Sequence, residues 1–151
     1  MVASPEIILI RSRSELGVQL YRAAIGAGLP LGDAEDLLQA APYLSKEDVT
    51  LIAQDLDQKG RRIRDLSVSL DKVACGKEIP PLGTLGIAFA QFRGLKLKEG
   101  TTVWPKTNDK GDRIEIEVEI WERLDYYARK IYVQENMHSR LTGAGAGTEE
   151  D

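Results

Sequence analysis

Up to Gly76 the chain repeats apolar side chains every three or four positions, and each repeat is bracketed by a residue that starts a helix and one that stops it. Only a 3.6-residue period gathers such positions on one face, so this half is expected to fold as short amphipathic helices. Ser12 or Ser14 offers an N-cap, Leu16, Leu20, Ala23, Ala24 and Ala27 follow at helical spacing, and Gly28 supplies a stop. Pro30 or Asp33 opens a second helix with Ala34, Leu37, Leu38 and Ala41 on one face, and Pro42 forbids continuation. Ser45 with Asp48 three residues on resembles a capping box in which Asp replaces the usual Glu or Gln, ahead of Val49, Ile52, Ala53 and Leu56. Gly60 separates this third helix from a fourth that carries Ile63, Leu66, Leu70 and Val73 before Gly76.

The remaining segments follow other patterns. Glu6 to Arg11 is a β-branched and aliphatic run after Pro5, which reads as a strand or extended arm buried on both sides. After Ile79, Pro80-Pro81 and the glycines Gly83, Gly86, Gly94 and Gly100 punctuate an apolar stretch. Leu82 to Phe92 suits a glycine-bearing helix or a buried strand, and we take the helix. Thr101 to Trp104 reads as a strand and Asn108-Asp109-Lys110-Gly111 as a turn. Ile114, Ile116, Val118 and Ile120 alternate with Glu115, Glu117 and Glu119, the mark of a half-exposed antiparallel strand. Trp121, Leu124, Ala128 and Ile131 return to helical spacing. The expected class is α+β: a mainly helical N-terminal half, a small antiparallel β element and a C-terminal helix. Residues 1–142 are read as one domain and 143–151 as a Gly-rich acidic tail.

Composition bounds the function classes. Lys and Arg number 20 against 24 Asp and Glu, a formal net charge of −4, which argues against a dedicated nucleic-acid binder. Cys75 is the single cysteine, so no intramolecular disulfide can form. No basic, apolar and small-residue leader opens the chain, and apolar runs such as Ile7 to Ile10 fall far short of the ~20 residues of a spanning helix. A cytoplasmic protein without nucleic-acid or membrane partners is expected.

Chemistry-bearing residues are sparse. The C-terminal stretch Ser139-Arg140-Leu141-Thr142-Gly143-Ala144-Gly145-Ala146-Gly147 precedes Glu149-Glu150-Asp151. Glycine at alternate positions leaves backbone N–H groups unscreened, and Arg140 is a fork-shaped anion donor. Ser139, Arg140, Gly143, Gly145 and Gly147 are therefore candidate ligand residues; a flexible tail is the other reading. The run lacks the Lys-Ser or Lys-Thr of a phosphate loop and the spacing of a dinucleotide fingerprint. No cofactor is expected. His138 is the default acid/base candidate because its unperturbed pKa lies near neutrality. One histidine and one cysteine give no zinc ligand set, and no metal is expected. Cys75 at a helix end reads as a buried structural thiol. Lys59, Arg61, Arg62 and Arg64 form the densest positive cluster, diluted by Asp57 and Asp65, which suits a solvated face. Trp121 reads as core, whereas Tyr126 or Tyr127 must point outward.

Ala23-Ala24-Ile25-Gly26-Ala27-Gly28-Leu29-Pro30-Leu31-Gly32-Asp33-Ala34-Glu35 runs paired alanines into Gly-Ala-Gly, a Pro and Gly turn and an Ala-Glu helix start. At the other end, Tyr132-Val133 leads to Ser139-Arg140, Gly-Ala-Gly-Ala-Gly and Glu-Glu-Asp. Both stretches resemble a family of small bacterial proteins with no assigned activity, although Gln134 to His138 departs from that family's Pro-containing linker. The resemblance covers the two ends of the chain. It implies a bacterial, cytoplasmic protein and directs attention to the terminal loop. Gly28-Leu29-Pro30 and Asp33-Ala34-Glu35-Asp36-Leu37 are also similar to the opening helices of the malate/lactate dehydrogenase family that lacks a Rossmann fold. The Ser-His-Gly motif of that family has no counterpart here.

The primary expectation is a non-enzymatic accessory protein that binds an anionic small molecule or a protein partner. Two alternatives stand beside it. One is a small enzyme with His138 as acid/base acting on an anionic substrate. The other is a structural module forming homo-oligomers, for which the Leu82 to Phe92 segment or the Ile114 strand edge would be exposed.

Overall fold

The computed structural model describes residues 7–77, 83–95 and 111–142, with side chains as far as residue 131. Its elements run β1 (Ile8–Ser12), α1 (Arg13–Gly26), α2 (Leu31–Ala40), a 3-10 turn (Ala41–Tyr43), α3 (Lys46–Leu56), α4 (Arg61–Ala74), α5 (Thr84–Phe92), β2 (Arg113–Glu117) and α6 (Val118–Thr142). This is an α+β fold, mostly helical, with a two-stranded antiparallel sheet and a C-terminal helix.

Local chemistry sets the helix ends. The Ser12 hydroxyl accepts from the Glu15 N–H at 3.0 Å, and the Glu15 carboxylate faces the Ser12 N–H, closing a capping box on α1. At the other end Gly28 takes φ +94°, which lets the Leu29 N–H return to the Ala24 carbonyl at 3.0 Å. Pro30 caps α2 without a side-chain bond, and Asp33 lies in its first turn. On α3 the Asp48 N–H donates to Ser45 Oγ at 3.1 Å and the Ser45 N–H to Asp48 Oδ2 at 2.9 Å, so Asp performs the usual Glu role. The α3–α4 turn places Lys59 and Gly60 at φ +59° and +72°. Asp55 closes that turn by accepting the Arg62 and Ile63 N–H groups at 2.9 and 3.0 Å.

The core gathers around α1. Leu16, Leu20, Ala23 and Ala24 of that helix meet Leu37, Ile52, Phe89, Ile116 and Leu124 from five other elements. Each large apolar side chain buried there contributes about 1.5–3 kcal/mol. α5 is helical, as read, and Leu85 to Ala90 are all buried. A helix buried on every side loses the polar stripe that would have separated it from a strand in the sequence.

Two expectations about the β segments change. β2 pairs antiparallel with β1, in the register Leu9↔Ile116 and Arg11↔Ile114. The alternation expected to reach Ile120 stops at Glu117: the Val118 N–H still donates to the Ile7 carbonyl at 2.9 Å, and α6 begins at that residue. β1 is half-buried rather than buried on both sides, with Ile10 56% exposed, because a two-stranded ribbon offers one face to the core. The strand read at Thr101 to Trp104 and the turn at Asn108 to Lys110 lie outside the described residues, as does the tail at 143–151. Nor is the apolar exposure expected of an oligomerisation module present at Leu85 to Ala90 or at Ile114, which are buried. Among the described residues no helix is long and apolar enough to cross a membrane.

Candidate functional site

The sequence-derived site residues fall at the end of α6. That helix runs to Thr142, so Ser139 and Arg140 stand on its last turns rather than in a loop, and His138 belongs to the helix rather than to a connection. Between Tyr132 and Thr142 there is neither glycine nor proline, and the first helix breaker is Gly143. The side chains of His138, Ser139 and Arg140, and all of Gly143, Gly145 and Gly147, lie outside the described residues.

A different feature emerges at the start of α1. A groove of ≈ 580 Å³ lies between its first turns, the end of α2 and the Gly111-Asp112 segment that leads into β2. Its apolar part is formed by Val18 and Leu38, which remain 50% and 39% exposed, with Gly17, Ala41 and Pro42. Ser12, Ser14 and Asp112 line the polar part. Gly17 brings α1 against α2: an added Cβ would meet Leu38 Cδ1 at 3.0 Å and the Leu38 carbonyl at 3.2 Å.

Arg13 lines the same groove and is buried. Its Nη1 donates to the carbonyls of Ala41 (3.0 Å) and Leu44 (2.8 Å), and its Nε to that of Gly111 (3.0 Å). Burial pulls the guanidinium pKa down from its ordinary value, and it remains charged at neutral pH. Sequence reading passed over Arg13. A cation in the first turn of a helix opposes the macrodipole, and that mismatch was the available signal for a tertiary partner.

A second polar cluster joins α2, α4 and α5. Arg93 donates through Nη2 to Asp36 Oδ2 and Ser67 Oγ and through Nη1 to Asp71 Oδ1, each at 3.0 Å, while Ser67 Oγ donates to Asp36 Oδ2 at 3.1 Å. Asp33, one turn before Asp36, has its carboxyl pKa raised by burial and then by the Asp36 charge, against the opposing pull of Arg64 and Arg93. These side chains hold one another, which describes a helix-to-helix tie.

Other candidates resolve into structure. The basic cluster at Arg61, Arg62 and Arg64 is exposed, and the N-terminus of α4 beside it is already occupied by the Asp55 carboxylate. Cys75 is free and exposed, not buried: it follows the last residue of α4, beyond the stripe of Ile63 and Leu70. Trp121 is partly buried at the core margin, with the Arg11 guanidinium 5.1 Å from its ring centroid. Tyr126 points outward at 59% exposure. Tyr127 donates its hydroxyl to Asp57, and its pKa is pushed up to about 12 by burial first and then by that bond and charge. Among the described residues no group of three or more His, Cys, Asp or Glu side chains is placed to hold a metal ion.

Compared with known proteins, the chain matches no family model, no curated sequence and no solved structure.

Proposed function

We propose that this is a non-enzymatic binding protein whose groove between α1 and the end of α2 receives a small molecule with an apolar body and an anionic end. The groove itself carries the reading. Its ≈ 580 Å³ falls within the ~300–1,000 Å³ of small-molecule sites, and Val18 and Leu38 stand open along it instead of joining the core. The charge of Arg13 favours an anionic group at the polar end, where Ser14 lines the groove and Asp112 accepts a donor from the same ligand. Membership of the small bacterial family is likewise a proposal, resting on the residue patterns at the two ends. A single exposed thiol at Cys75 accords with a reducing cytoplasm.

Ser139, Arg140 and the glycines Gly143, Gly145 and Gly147 are the competing anion site, favoured by their sequence pattern, with His138 as acid/base in the enzymatic alternative. One experiment separates the two places. A thermal-shift panel of aliphatic carboxylates, phosphates and nucleotides should include a ligand that stabilises the fold by about 2.7 kcal/mol at a hundred times its dissociation constant. Val18→Lys and Leu38→Lys should each abolish that shift, and Arg140→Ala should leave it. If Arg140→Ala instead lowers affinity by about 1.5–3 kcal/mol while both groove variants bind normally, the ligand sits at the terminal stretch and the groove reading is wrong.

A further inference from the structure

We infer that Arg13 is the positioning residue of this groove, the strut that sets the distance between its walls; the inference rests on the groove being the binding site. The walls come from three distant parts of the chain: the first turns of α1, the end of α2 with the 3-10 turn, and the Gly111-Asp112 segment. From its place on the first wall, Arg13 reaches both of the others. Its Nη1 holds the Ala41 and Leu44 carbonyls, its Nε holds the Gly111 carbonyl, and its backbone N–H donates to the Asp112 carbonyl at 2.8 Å. The Ala41 carbonyl, just past the end of α2, also accepts from the Leu44 N–H at 3.4 Å, and the guanidinium gives it a second, shorter bond.

The chemistry is specific to arginine. Its planar fork presents several N–H groups in fixed directions, whereas a lysine ammonium is a point charge on a flexible stem. Gly17 complements it. An added Cβ there would press on Leu38, so Gly17 lets α1 and α2 come close while Arg13 limits how far they part.

The test uses the full chain with Cys75→Ser and two readouts. The first is the distance distribution between nitroxides at Leu38→Cys and Asp112→Cys, both exposed and on opposite walls. The second is the affinity of anilinonaphthalene sulfonate, an amphiphilic anion, in the chain without those labels. Arg13→Met and Arg13→Lys should each broaden the distribution and weaken the dye by about tenfold or more. Leu70→Ala, a core truncation on α4, should lower the melting temperature yet leave both readouts unchanged, which separates positioning from general destabilisation. Arg13→Lys keeps the stem and the charge and is the variant to read if Arg13→Met fails to fold. An unchanged distribution in a folded Arg13 variant would overturn the inference. Dye binding that is absent, or that survives Val18→Lys, would instead sink the groove reading and leave Arg13 to be judged on the distances alone.

Discussion

A missing methyl at Gly26 decides how α1 and α6 cross. A Cβ built there would lie 1.8 Å from the Tyr127 carbonyl oxygen, a backbone atom with no rotamer to move into. Gly26→Ala must therefore push two helices apart, and a loss of about 3 kcal/mol or more is expected from urea unfolding. Gly32→Ala is the contrast, since nothing lies within 4 Å of its added carbon in α2. That change should stabilise by about 0.4–1 kcal/mol through the unfolded chain. The two glycines look alike in sequence. Only the neighbour across the helix interface, 101 positions further along at Tyr127, tells them apart.

At the scale of elements, the short-range signals carried most of the helix boundaries. Ser12 with Glu15 and Ser45 with Asp48 are pairs three residues apart, so the bonds that start α1 and α3 are visible in the chain. What Asp48 does beyond its own helix is not visible. Its second carboxylate oxygen, on a residue with no exposure, accepts from the hydroxyl of Thr84, an exposed residue on α5, 36 residues away. Asp48→Ala should consequently cost more than a cap alone, about 2–4 kcal/mol by urea unfolding, because it unpairs the half-buried Ser45 N–H and also breaks the charged hydrogen bond that ties α3 to Thr84. A cost below about 1 kcal/mol would mean that the α3–α5 link contributes little. The β segments follow the same logic. Alternation at Ile114 and Ile116 identified a strand, but a period of two names no partner, and β1 lies about a hundred residues earlier.

The Asp33 region makes the stability of the entire fold depend on pH in a definite direction. Burial and the Asp36 charge hold the folded-state carboxyl pKa above its unfolded value, so the native state favours the protonated acid. Its contribution is therefore unfavourable at neutral pH and improves as pH falls through the folded value, levelling off below the ordinary aspartate pKa of ~3.9. Asp33→Asn should raise the melting temperature at pH 7 by about 1–3 °C, and the difference should vanish in melts below about pH 4. A constant difference across that range would remove the electrostatic explanation. Globally, then, residues a few positions apart were enough to specify the first four helices, the capping boxes of α1 and α3 and the α+β class, because those depend on period and on near neighbours; Leu38, expected on the apolar face of α2, instead stands open in the groove. The β1–β2 pairing, the start of α6, the burial of α5, the Arg93 tie and the groove that Arg13 lines arise only in the folded molecule. Each of these depends on groups far apart in the chain brought together by packing, and no local period records such a meeting.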